Sequence, residues 1–134
     1  MIEANNLTGF KIDINFVKKI AGKVLKGERK NKAEISIAFV NPAKIRQLNK
    51  KYLKKNRPTD VLSYTYNKSL GEVVICPQQV KQNAKKFGET FKKELRRVLI
   101  HGILHFLGQD HEKRAAAAKK MEKKQNYYFN LLNK

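Results

Sequence analysis

A chain of 134 residues is long enough for one sizeable core, so a single domain over 1–134 is expected. Its one cysteine, Cys76, excludes an intramolecular disulfide framework and suits a reducing compartment, the cytoplasm. Thirty Lys+Arg against eleven Asp+Glu give a net charge of +19, a field that attracts polyanions, with a solvated lysine coat as the bland alternative. Nucleic acid is the first partner expected from that field and an anionic membrane surface the second. The opening residues lack the basic start and apolar block of a signal peptide. The longest apolar stretch is about ten residues, half of the roughly twenty that a membrane-spanning helix needs.

In chain order, "LTGFKIDI" (7–14) reads as an opening strand. Phe16, Val17, Ile20, Val24 and Leu25 then recur at helical spacing, with Gly27 past the end. "AEISIAFV" (33–40) alternates Ile35, Ile37 and Phe39 on one face, the period of a strand. Asn41 and Pro42 supply a cap and a first-turn proline for a helix running to about Tyr52. "DVLSYTY" (60–66) and "GEVVIC" (71–76) are β-branched and aromatic, and Asn67 to Leu70 between them predict a hairpin. Pro77 stops the second of these strands. A helix ended by Gly88 follows, and Thr90 can cap the next, "FKKELRRVLIHGILHFLG". That helix is apolar nearly all round from Val98 to Leu107, so burial is expected. A last helix runs from about Glu112 to Leu132. Strands interleaved with helices, one strand pair being a hairpin, imply the α/β or α+β class: a mixed sheet of about four strands covered by helices.

All three histidines fall within "HGILHFLGQDH" (101–111). His101 and His105 are four apart, on one face of a helix. Gly108 can end that helix in a left-handed conformation and return His111 toward the other two. Three imidazoles around an open position is the arrangement of catalytic zinc sites. Two histidines at this spacing can also be core packing, but an unsatisfied buried polar group costs about 1–3 kcal/mol, which makes packing a poor account of all three. The spacing H-x-x-x-H-x-x-G-x-x-H is that of the metzincin proteases, which carry a glutamate after the first histidine as general base. Here that position is Gly102, so the helix is zincin-like while peptide hydrolysis is disfavoured.

The same stretch resembles the pattern H-G-x-L-H-L-x-G-Y-D-H of the YbeY-type bacterial rRNA maturation factors, metal-dependent endoribonucleases acting on single strands. "LNKKYLKKNRPTDVLSY" (48–64) is similar to their L-N-x-x-Y-R-x-x-D-x-P-T-D-V-L-S-F, and "GEVVICP" (71–77) to their G-D-I-x-I-x-P. The likeness spans about residues 33 to 125. It implies one zinc, or another divalent transition metal, on His101, His105 and His111, and single-stranded RNA, rRNA or a ribosomal subunit, as partner. The family arginine after the tyrosine of the second block is thought to be needed for activity, and Leu53 stands there; Asn56 and Gln109 replace the family Asp and Tyr. Arg57 is the first candidate to take over the cationic role, because guanidinium grips a phosphate bidentately; Lys54 and Lys55 come next, and a solvated loop charge is the alternative.

Phosphodiester hydrolysis needs an activated water, a polarised phosphoryl oxygen and a cation against developing charge. Asp60 and Asp110 can orient a histidine or simply cap turns. Tyr52 and Tyr64 can stack on bases or pack in the core. Besides a zinc-dependent endoribonuclease, a non-catalytic metal-stabilised RNA- or ribosome-binding protein and a metallohydrolase of another substrate class remain open.

Overall fold

The computed structural model describes residues 1–108 and 115–132. Among the described residues the order is β1 (Ile2–Asn6), α1 (Ile14–Gly27), β2 (Glu34–Phe39), α2 (Pro42–Leu53), β3 (Val61–Asn67), β4 (Leu70–Ile75), α3 (Pro77–Lys86), α4 (Phe91–Gly108) and α5 (Ala115–Leu132). The sheet order is β1-β2-β4-β3. β1, β2 and β4 are parallel, and β3 closes one edge antiparallel to β4. The mixed four-stranded sheet with a hairpin and covering helices is the one the sequence implies.

The alternation of β2 and β4 sorts the core into two halves. Ile35, Ile37, Phe39, Val73 and Ile75 face α1 and α4, meeting Val17, Val24, Leu99 and Ile103. Val74, Cys76 and Leu62 face the other way, onto Ile45 of α2. The molecule is thus a three-layer stack with α2 alone on one side. Each fully buried aliphatic side chain contributes about 1.5–3 kcal/mol, so both halves matter, but the α4 half is far larger.

Local chemistry sets the helix starts. Asp13 accepts from Phe16 N–H at 3.0 Å, Asn41 from Lys44 N–H at 2.9 Å, and Thr90 from Lys93 N–H at 3.1 Å. Pro42 and Pro77 occupy first turns, where a missing N–H costs nothing. Gly88, at φ +66°, lies just beyond the end of α3. In the hairpin, Asn67 Oδ1 accepts from Ser69 N–H at 2.9 Å.

Three expectations need correction. The opening strand is residues 2–6, not 7–14. Asn6 and Thr8 divert the chain: Thr8 N–H and Oγ1–H donate to Asn6 Oδ1, Phe10 N–H donates to Thr8 Oγ1, and Asn6 Nδ2 donates to Phe10 O. Gly27 is the last residue of α1 rather than the residue past its end; Arg29, beyond the cap, takes the left-handed conformation, and Gly27 gives room to the Tyr128 hydroxyl. Gly108 likewise is the last residue of α4, without a left-handed φ.

Candidate active site

α4 carries the two described histidines, and its seat on the sheet explains the residue between them. A Cβ at Gly102 would come within 2.9 Å of Val73 Cγ1 and 3.1 Å of Val61 Cγ2. The position therefore points into the sheet, where a metzincin-type glutamate has no room. One turn on, Phe106 lies over Gly71, whose absent Cβ leaves space for the ring. Ser63 Oγ of β3 donates to Gly102 O at 2.9 Å. The "PTDVLSY" strand is thus fastened to the histidine helix at the glycine between the histidines.

With Gly102 against the sheet, His101 and His105 emerge together, partly buried, on a flank of the helix. Their ring centroids are 4.3 Å apart and their planes differ by 56°. His101 Nδ1 lies 2.8 Å from Gln125 Oε1 of α5. A carboxamide oxygen only accepts, so Nδ1 carries the proton and Nε2 presents its lone pair. This is the usual way a protein fixes the tautomer and orientation of a ligating imidazole. Sequence reasoning missed Gln125: one amide in a lysine-rich helix gives no spacing signal.

α5 is itself held in place. Glu28, capping α1, accepts from Lys124 Nζ and, at 2.7 Å, from Tyr128 Oη. Lys124 and Tyr128 bracket Gln125, so this clamp sets the position of the amide that meets His101. Burial pushes the Glu28 carboxyl up, but the hydrogen bonds from Lys124 and Tyr128 and the charges of Lys124 and Lys120 outweigh it and leave the carboxyl below its ordinary value.

Among the described residues, no group of three His, Cys, Asp or Glu is gathered to hold a metal. His111, expected as third ligand, lies outside the described residues, as do Gln109 and Asp110. The two described imidazoles nevertheless suit a borderline metal: neutral nitrogen donors, side by side, one with its tautomer fixed.

The second block lies at the α2 side of β3. Asn49, buried inside α2, donates from Nδ2 to Arg57 O at 2.9 Å and pins the loop that follows the helix. Arg46 Nε donates to Asn56 Oδ1 at 2.9 Å in the same loop. Arg57 is exposed, as is Leu53 at the family arginine position. Asp60 accepts from Asn83 Nδ2 at 3.3 Å, and its carbonyl accepts from Cys76 N–H at 2.9 Å, so it ties the strand start to β4 and α3. Tyr64 packs on the Ile45 cluster, while Tyr52 is exposed.

A family described as "Endoribonuclease YbeY" matches residues 3–133. The chain is 39% identical to an Endoribonuclease YbeY of Aquifex aeolicus over 110 residues, covering 78% of this chain and 73% of that protein. Against one from Petrotoga mobilis the identity is 41% over 122 residues, covering 88% and 85%. A solution structure from Thermotoga maritima superposes with a TM-score of 0.73 at 33% identity, covering 98% of this chain and 89% of that one. The fold and these matches define the class, the endoribonucleases, hydrolases acting on RNA. Within it, the chain belongs to the YbeY family.

Proposed function

We propose that this protein is a zinc-dependent, single-strand-specific endoribonuclease acting in rRNA processing and ribosome maturation in the cytoplasm. The observation that carries the metal part is the paired imidazoles of His101 and His105, with His101 Nδ1 engaged by Gln125. In this reading His101, His105 and His111 hold the ion. When bound, such an ion supplies Lewis acidity toward a phosphoryl oxygen and a water acidic enough to react near neutral pH. The chain's own residues do the rest. Gln125 keeps Nε2 of His101 as donor, and Ser63 holds the edge strand to the histidine helix. Arg57, on the loop that Asn49 pins, grips a substrate phosphate. The +19 charge draws the RNA in. Among the described residues no helix is long and apolar enough to cross a membrane.

A non-catalytic RNA-binding protein is the second reading. It is favoured by Leu53, an apolar and 55% exposed side chain where the resemblance calls for a cation. Cleavage of single-stranded RNA by purified protein of measured metal content separates the two. The wild type should cleave with about one ion per chain, and His105→Ala should lose both. Arg57→Ala should lower the rate about a hundredfold or more with metal content unchanged, the scale of a lost transition-state donor. RNA binding without cleavage by the wild type establishes the second reading, and Leu53→Arg should then create activity. Full cleavage by His105→Ala removes the metal from the mechanism.

A further inference from the structure

β3 is one edge of the sheet, and tyrosines gather on its α2 side. Tyr64 lies against the small core half, and Tyr52, from the last turn of α2, meets it edge to face at 5.0 Å with planes at 63°. Tyr66 sits at the irregularity between Thr65 and Asn67, where the register with β4 shifts. Its hydroxyl donates to Glu72 Oε1 at 3.3 Å, and Glu72 is the cross-strand partner of Tyr64, so Tyr66 and Tyr64 share one face. Burial, with smaller additions from Tyr52, Glu72 and Tyr66, pushes the Tyr64 hydroxyl up to about 12, and burial followed by Glu72 pushes the Tyr66 hydroxyl up.

The rings differ in what they show to solvent. The Tyr64 hydroxyl is buried, while Tyr52 is 55% and Tyr66 63% exposed. The packed Tyr64 thus backs Tyr52, and Glu72 holds Tyr66. Cations border them: Lys51 Nζ stands 5.3 Å from the Tyr52 ring centroid, and Lys50, Lys54, Lys55 and Arg57 are exposed around the end of α2. Glu72, the carboxylate in the patch, is occupied in orienting Tyr66. Exposed rings bordered by lysines match the two halves of a single-stranded nucleic acid, flat bases and phosphates.

We infer that Tyr52 and Tyr66 form a base-stacking platform that holds unpaired bases of single-stranded RNA, with the lysines at the end of α2 holding the adjoining phosphates. The inference rests on RNA being the substrate and adds where the strand lies: along the open edge of β3, on the side away from α4. It also supplies a reason for single-strand selectivity, since bases stacked inside a duplex have no face to offer a tyrosine. An acidic protein segment would use the same lysines without needing the rings.

The test compares a fluorescent single-stranded RNA with an abasic strand of equal length, which keeps the phosphates and lacks the bases. Tyr52→Ala and Tyr66→Ala should each weaken RNA binding about five- to a hundredfold, and Tyr52→Phe should bind as wild type does. Abasic-strand affinity and the salt slope should stay unchanged in the alanine variants, because the phosphate contacts remain. The two tyrosines are on separate elements, so failure of one variant to fold leaves the other to decide. Unchanged RNA affinity in a folded alanine variant overturns the platform, as does an equal loss toward the abasic strand. Wild-type protein that binds neither strand overturns the RNA reading itself, a result distinct from either of these.

Discussion

The two faces of the sheet use the same strands to different ends. On the α4 face the side chains are buried and fastened. Gly102 and Gly71 let the helix close on the sheet, Ser63 bonds it there, and α5 adds Gln125 from outside. On the α2 face the core is small and the surface open, with Tyr52, Leu53, Tyr66 and the lysines turned to water. The first face fits chemistry that needs groups held at fixed distances. The second fits recognition of a long, flexible polyanion. A site that holds a reaction centre and a surface that grips a strand can thus sit on opposite sides of one edge strand.

The sharpest way to break this comparison is to place the same residue on both faces. Gly102→Glu would restore the metzincin motif, yet the carboxylate would enter a space bounded by Val61 and Val73. Overpacking costs about 1–3 kcal/mol and an unpaired buried charge several more, so a loss of at least about 4 kcal/mol is expected, read as a collapsed or absent thermal transition. Leu53→Glu, on the exposed surface, should change stability by less than about 0.5 kcal/mol. A stable Gly102→Glu protein would mean that α4 does not sit against the sheet as described.

A smaller effect distinguishes the faces by function. Gln125→Ala removes the acceptor of His101 Nδ1 while leaving the core intact. The dissociation constant for zinc, measured by competition with a chromogenic chelator, should rise about ten- to a hundredfold, the usual consequence of losing such a partner. Gln125→Glu, which keeps an acceptor, should retain tight binding, and Tyr52→Ala should leave metal affinity untouched. Unchanged zinc affinity in Gln125→Ala would show that His101 is oriented by something else.

Periodicity and caps made most of the elements legible, because they are local: Asn41-Pro42 opens α2, Thr90 caps α4, and the alternation of Ile35, Ile37 and Phe39 marks β2. The first strand was misplaced because Asn6 and Thr8 spend their side chains on the backbone, a choice the apolar pattern of residues 7–14 hides. His101 and His105 were legible because helical spacing alone puts them on one face. Gln125 and the seat of Gly102 were not, since each depends on an element distant in the chain, α5 for one and the sheet for the other. Arg57 was chosen on chemistry; its anchor, Asn49, belongs to the resembling block, but only the fold shows which carbonyl it holds.

The smallest effect concerns the clamp that carries Gln125 and belongs to the α4 face alone. Burial of Glu28 favours its neutral form, but the hydrogen bonds from Lys124 and Tyr128 and the charges of Lys124 and Lys120 prevail, so its folded value lies below the ordinary 4.5. A carboxyl depressed on folding adds stability above its unfolded value and loses it as pH falls through its folded one. Glu28→Gln keeps an acceptor for Tyr128 and loses the ion pair with the partly exposed Lys124. At pH 7 it should therefore cost about 1 kcal/mol. In thermal melts, the gap between wild type and Glu28→Gln should be full above about pH 5, narrow below 4.5 and close once the folded carboxyl is protonated. Over the same range the gap between wild type and Tyr52→Ala should stay level, because none of the groups that bond or charge-couple to Glu28 lies on the α2 face. A Glu28→Gln gap that does not vary with pH would show that the clamp holds α5 by packing of the Tyr128 ring rather than by charge.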